Sequence, residues 1–150
     1  MKNTVRAPVS AVVEATIQAP IELVWATLTG LDRWPEWHHG VSRIRVGGGI
    51  EVGTWFHWRS GIFNIESQLM DVDFPERFAW SGRTFGMDAL RVWRMQSFAN
   101  HTQVVASESL RGLAPWAFPS LARRMLTHVV TESLLSLKIA AEDAVIFTDE

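Results

Sequence analysis

From Val41 to Arg111 the chain is interrupted at short intervals by turn formers, whereas Ser120 to about Ala144 contains no Gly or Pro at all. The interruptions are Gly47-Gly48-Gly49, Ser60-Gly61, Asp73-Phe74-Pro75, Thr84-Phe85-Gly86 and Ala99-Asn100-His101, all built on residues that tolerate turn dihedrals. They delimit strands near 41–46, 53–59, 62–72, 76–82, 87–98 and 103–111, and such short connections require an antiparallel meander. The uninterrupted run predicts a helix roughly 35 Å long at about 1.5 Å per residue, enough to lie across a whole sheet. Leu121, Met125, Val129, Ser133, Leu137 and Ala140 or Ala141 recur at helical spacing and predict its buried stripe.

Upstream, Val9 to Gln18 is rich in small and β-branched residues and predicts a first strand. Pro20 then suits the first position of a helix, with Glu22 favouring the positive end of its dipole and Leu23 to Leu28 carrying it to Gly30. Asp32 is a good N-cap for a second helical turn through Trp34-Pro35-Glu36-Trp37. Pro115 and Pro119 are tolerable near the start of the last helix, and both Met1 to Pro8 and Asp143 onward are expected to fray. The expected fold class is α+β: a curved seven-stranded antiparallel sheet wrapped around a long C-terminal helix, with two short helices between strands one and two. A length of 150 residues at 47% hydrophobic suits a single domain over residues 1–150 that buries its core without disulfides.

The net charge of -2 argues against a nucleic-acid partner, which needs clustered Lys and Arg; the pair Arg123 and Arg124 is too small a cluster. The absence of Cys removes both a disulfide framework and a thiolate nucleophile. With no apolar run fit for a signal peptide or a transmembrane segment, a cytoplasmic location is the default expectation. Asn100-His101-Thr102 matches a glycosylation sequon but reads as a turn.

Eight Trp residues and no Tyr are unusual for a chain of this size. A solid core is filled more naturally by Leu, Ile and Val, whereas flat aromatic walls suit a concavity that admits an apolar ligand. The gap between a curled sheet and its helix is where such a cavity forms.

Several segments together resemble the helix-grip or START-like superfamily, also called SRPBCC, and within it the polyketide cyclase/dehydrase-like branch. They are Ile17-x-Ala19-Pro20-x-Glu22-x-Val24-Trp25, Leu31-Asp32-x-Trp34-Pro35-x-Trp37, Gly53-x-x-Phe56-x-Trp58, Pro75-x-Arg77-x-Ala79-Trp80-x-Gly82, Trp93, Thr102-x-Val104 and Glu108-Ser109-x-x-Gly112. The resemblance spans roughly Val9 to Ala144 and implies an apolar cavity used by different members for lipids, polyketides, plant hormones and other hydrophobic molecules. It implies no particular reaction, since carriers, receptors and cyclases share the scaffold. Where related sequences often place a His two residues before the Trp of the sixth strand, this chain has Arg91.

Strand alternation assigns faces. It sends Phe56 and Trp58 inward and Trp55, His57 and Arg59 outward; it also points Phe63, Ile65, Ser67, Leu69, Phe78 and Trp80 inward. Along 87–98, Arg91 shares a face with Ala89, Trp93 and Met95, and a tight hairpin at 99–101 brings Glu108 opposite Arg91 or Trp93. A buried Arg91–Glu108 ion pair is therefore predicted, because either charge alone inside is costly. It serves either as a structural pair that fixes register or as a polar anchor for a ligand carbonyl, phenol or carboxylate. As candidates for catalysis, Arg91 can stabilise an enolate but cannot deprotonate, and Glu108, held against that cation, makes a poor general base.

Trp34 and Trp37 share a face and either plug the open end of the sheet or gate a ligand entrance. The expected ligand-binding residues are Trp34, Trp37, Phe56, Trp58, Phe63, Ile65, Trp80, Arg91, Trp93, Met95, Glu108, Met125 and Val129. His38 and His39 diverge as neighbours and lack helical ligand partners, so no metal is expected and both are placed at the solvent or rim. Gly47-Gly48-Gly49 has neither the spacing nor the following helix of a phosphate cradle, although it suits a mobile lid. No cofactor is expected.

These readings converge on binding of a small hydrophobic molecule, aromatic, lipid or polyketide-like, in an internal cavity. Cyclase or dehydratase activity by positioning and water exclusion is one version; a nonenzymatic carrier, sensor or chaperone is another. A third class is a protein-interaction module with a filled core, contacted through Trp55 and Trp116, for which a homodimer is one arrangement and a cavity too small for a ligand would speak.

Overall fold

The computed structural model describes residues 8–148. The fraying expected of residues 1–7 lies outside these. The order of elements is β1 (Val9–Ile17), α1 (Ile21–Thr29), a 3-10 turn (Leu31–Arg33), α2 (Trp34–Trp37), β2 (Val41–Val46), β3 (Trp55–Ser60), β4 (Phe63–Asp73), β5 (Arg77–Thr84), β6 (Met87–Phe98), β7 (His101–Gly112), α3 (Leu113–Ala117) and α4 (Pro119–Thr148). It is the expected α+β helix-grip architecture, with one added short helix, α3.

All seven strands form one antiparallel sheet in the order β1-β7-β6-β5-β4-β3-β2. Strands β2 to β7 are the meander that the turn residues dictate. The first strand joins the far edge by pairing with the last, Val9 opposite Leu110 and Ile17 opposite Thr102. The segment from α1 to α2 must therefore carry the chain from one edge of the sheet to the other. Register shifts between Val41 and Arg43 and between Leu69 and Asp71 add local twist that helps the sheet curl.

Helix starts differ from expectation by one residue. Pro20 is the cap of α1 rather than its first residue, accepting hydrogen bonds at its carbonyl from the Leu23 and Val24 amides. Asp32 does not cap: the 3-10 turn starts at Leu31, flanked by Gly30 without a side-chain cap. The expected fraying from Asp143 is also corrected, since α4 continues to Thr148. Among the described residues no helix is long and apolar enough to cross a membrane.

The phase of α4 is the main correction to the predicted core. Leu126, Val130, Ser133, Leu134, Ser136, Leu137 and Ala141 are buried, whereas Leu121 is exposed and Met125 and Val129 are 55% and 44% exposed. A strict four-residue stripe overshoots a full turn by about 40° at every step, so residues chosen that way wind around the cylinder instead of staying on one side. Ser133 and Leu137 lie where the stripe meets the sheet; Leu121, Met125 and Val129 have rotated off it. The C-terminal half of α4 is further pinned to β1, through Lys138 Nζ donating to the Thr16 carbonyl at 2.8 Å and the Gln18 amide donating to Glu142 Oε2 at 2.8 Å. Ile17, Val24, Leu28, Leu69, Phe78, Val104, Val130 and Leu137 are nearly or fully out of solvent and form the core between sheet, α1 and α4.

Candidate functional site

The site lies on the concave face where α2 closes against α4. Trp34 is its hub, buried on the short helix with its Nε1 donating to the Leu28 carbonyl at 2.9 Å. Its ring meets Phe56 and Trp58 edge to face at 5.8 and 5.3 Å, and Trp80 at 4.9 Å with a 49° tilt. Trp80 continues the wall to Trp93 at 6.3 Å. These residues converge because Trp58, Trp80 and Trp93 occupy inward positions on three strands, as alternation requires. Edge-to-face and offset contacts of this kind are favourable ring geometries.

Arg91 and Glu108 are direct partners across β6 and β7, with Arg91 Nε donating to Glu108 Oε1 and side-chain exposures of only 6% and 13%. The guanidinium also lies 5.8 Å from the ring centroids of both Trp80 and Trp93, within cation–π range. Trp58 Nε1 donates to Ser67 Oγ at 2.9 Å. Trp93 Nε1, by contrast, is buried without an acceptor.

The enclosed space is lined by Leu28, Trp34, Trp37, His38, Trp58, Trp80, Arg91, Trp93 and Ser133, with a volume of about 10 Å³. That is about the room one water occupies. The rings thus fill most of the hollow that the Trp content predicts, and ligand entry requires α2 or α4 to move. A larger open concavity of about 460 Å³ crosses the sheet at Arg43, Arg45, His57, Arg59, Glu66 and Arg83. Its lining combines these polar residues with Ile44, Trp58 and Ile65.

His38 departs from its expected rim position. Half-buried past the end of α2, it shares a 3.0 Å hydrogen bond between its Nε2 and Ser133 Oγ, and its Nδ1 is buried without a partner. Desolvation, then the charges of Arg91 and His39, lower its pKa to about 4, so the ring is neutral near pH 7. His39 is exposed. The sequence signal for His38 is slight: a polar Ser133 on an otherwise apolar helix stripe hints that something polar faces it.

Of the expected ligand-binding residues, Trp34, Trp37, Trp58, Trp80, Arg91 and Trp93 line this space, and Glu108 holds Arg91. Phe56 and Met95 are buried, with Phe56 backing the Trp34, Trp58 and Trp80 rings. Phe63 and Ile65 are only partly buried, and Phe63 packs on Phe85 at the hairpin tips instead of lining the cavity. Met125 and Val129 sit on the solvent side of α4, for the reason of helical drift given above. Leu28, His38 and Ser133 complete the lining.

A curved antiparallel sheet gripping a long helix around an aromatic interior with one buried ion pair defines a helix-grip protein. The family model described as Polyketide cyclase / dehydrase and lipid transport matches residues 8–142, and the chain belongs to that family. Its fold is similar to that of the ZhuI aromatase/cyclase from Streptomyces sp. R1128, with a TM-score of 0.76 and 18% identity over 91% of this chain and 94% of that one. A hypothetical protein of Helicobacter pylori gives a TM-score of 0.76 at 16% identity, covering 88% and 87% of the two chains. The di-domain aromatase/cyclase StfQ from the steffimycin biosynthetic pathway gives 0.76 at 15% identity over 93% of this chain and 52% of its own. No match to a curated protein sequence is found.

Proposed function

We propose that the protein binds a small, mostly apolar molecule bearing one polar oxygen between its sheet and α4. The observation that carries this reading is the buried, unpartnered Trp93 Nε1 beside the Arg91 guanidinium, within an aromatic lining. A buried donor without an acceptor is costly, and a ligand carbonyl or phenol oxygen at that point relieves the cost. Trp34, Trp58 and Trp80 supply apolar contact, and the Trp37–His38 segment is the gate, released when the His38–Ser133 hydrogen bond opens. Membership of a family described by cyclase, dehydrase and lipid-transport roles supports the same class of ligand.

Two versions follow. As a cyclase or dehydratase, the protein holds a reactive chain against the Trp wall, excludes water and lets Arg91 stabilise developing enolate charge. As a carrier or sensor, it uses the same pair only as an anchor. Neutral replacements Arg91→Met and Glu108→Gln separate them: turnover lost with binding retained supports catalysis, and parallel loss of both supports the anchor.

The direct test is native mass spectrometry of protein purified from its own cells, with Trp fluorescence titration against aromatic ketones, phenols and fatty acids. A co-purified molecule or saturable quenching is expected, with affinity lowered about tenfold in Trp93→Phe through loss of one hydrogen bond. Absence of any bound molecule, with no quenching across the panel, overturns the proposal. It would favour the second reading, an interaction module with a filled core, for which the enclosed volume of about 10 Å³ speaks. Exposed Trp55 and Trp116 are then its contacts.

A further inference from the structure

The net charge of the chain is -2, yet residues 109–131 hold Arg111, Arg123 and Arg124 and neither Asp nor Glu. In the same stretch Leu113, Trp116, Phe118 and Leu121 are all exposed. Met125 and Val129 continue the apolar strip along α4. By helical periodicity this strip runs between the buried side of α4, marked by Leu126 and Val130, and a polar side carrying Arg124 and His128. Glu132, exposed one turn beyond His128, bounds it.

Two hairpin tips extend the same surface. Gly112, at the start of α3, lies so close to Gly86 that an added Cβ would sit 2.7 Å from the Gly86 carbonyl oxygen, which sets the β5–β6 tip beside Leu113. Phe85 at that tip meets Phe63 at 5.7 Å, bringing in the β3–β4 tip. Phe85 and Ile62, one on each tip, are 76% and 73% exposed. Asp88, which faces Arg111 across the ladder, is in an ion pair with Arg83. Isolated exposed apolar residues are ordinary, but a continuous set on one end marks a contact surface.

The charge selects the occupant. A second copy docked by a two-fold axis would set one basic face, with neither Asp nor Glu over residues 109–131, against another. Anionic lipid headgroups neutralise the arginines, and the fluid boundary beneath accepts side chains at different heights without needing a complementary mould. We propose that α3, the first half of α4 and the β3–β4 and β5–β6 tips form a docking face for an anionic lipid bilayer, independent of what the cavity holds. Trp116, Phe118 and Leu121 enter the headgroup boundary, and Arg111 and Arg124 meet the phosphates.

The test is co-sedimentation of the full chain with phosphatidylcholine vesicles and with the same vesicles containing phosphatidylserine, at low and high salt. Binding to the phosphatidylserine vesicles that is weakened by salt is expected, with Arg124→Gln lowering affinity about fivefold. Phe118→Asp should abolish binding while circular dichroism and the melting temperature stay unchanged, because Phe118 is exposed. Equal binding to both vesicle types, or binding to neither, overturns the proposal. So does a solution dimer that Phe118→Asp dissociates in a protein that ignores vesicles, since the face then belongs to a second copy.

Discussion

Arg91 and Glu108 meet directly across β6 and β7 with almost no exposure to solvent, and two Trp rings cover the guanidinium. The sheet thus holds a pair of opposite charges where apolar residues would pack without desolvation cost.

Breaking this pair from one side should destabilise far more than replacing both sides. Arg91→Met or Glu108→Leu alone should cost about 3 kcal/mol, since each strands a buried partner, whereas Arg91→Met/Glu108→Leu should return most of that loss. Urea unfolding of the two single variants and the double variant measures the coupling. Additive losses would show that the charges act independently.

His38 makes stability depend on pH. Its pKa falls from 6.5 to about 4 on folding, so between these values the unfolded chain holds a proton that the folded one refuses. Its contribution is present above pH 6.5 and is lost as pH drops towards 4, up to about 3 kcal/mol. Chemical denaturation at pH 7 and pH 5 should show the decline, and His38→Gln should flatten it. An unchanged slope in that variant would assign the decline to other groups.

The two sides of α4 should respond differently to truncation. Leu126→Ala should cost about 2–4 kcal/mol because Leu126 is buried, and Leu121→Ala under about 1 kcal/mol because Leu121 faces solvent. Melting curves that reverse this order would contradict the phase of the helix.

Gly112 and Gly61 separate backbone strain from collision. Both have positive φ, +143° and +60°, but a Cβ at Gly112 lies 2.7 Å from the Gly86 carbonyl oxygen and 3.1 Å from Met87 Cα, whereas Gly61 has open space. Gly61→Ala should cost about 1 kcal/mol, and Gly112→Ala several-fold more because backbone must shift. Thermal unfolding of the two variants compares them directly.

Strands were far more legible in the sequence than helices. The alternation that placed Phe56, Ser67, Leu69, Phe78, Trp80, Arg91 and Trp93 inside holds because a strand repeats every two residues and keeps its phase up to a bulge, here after Leu69 in β4. The four-residue stripe on α4 failed at Leu121, Met125 and Val129 because its angular error accumulates with every turn. The Arg91–Glu108 pair was legible because one tight hairpin fixes its register. His38 was not, since its environment depends on α2 meeting Ser133, 95 residues away, and no local pattern encodes that approach. Nor could the Trp count reveal that the rings pack against one another and leave little space.

Because Val9–Ile17 lies against His101–Gly112, the sheet lacks one of its borders until the last of its seven strands has been made. During synthesis the first strand must wait, without any strand partner, for a mate that leaves the ribosome last among the strands. Closing the sheet is therefore expected to be a slow step in folding, governed by the meeting of two strands that lie far apart along the chain.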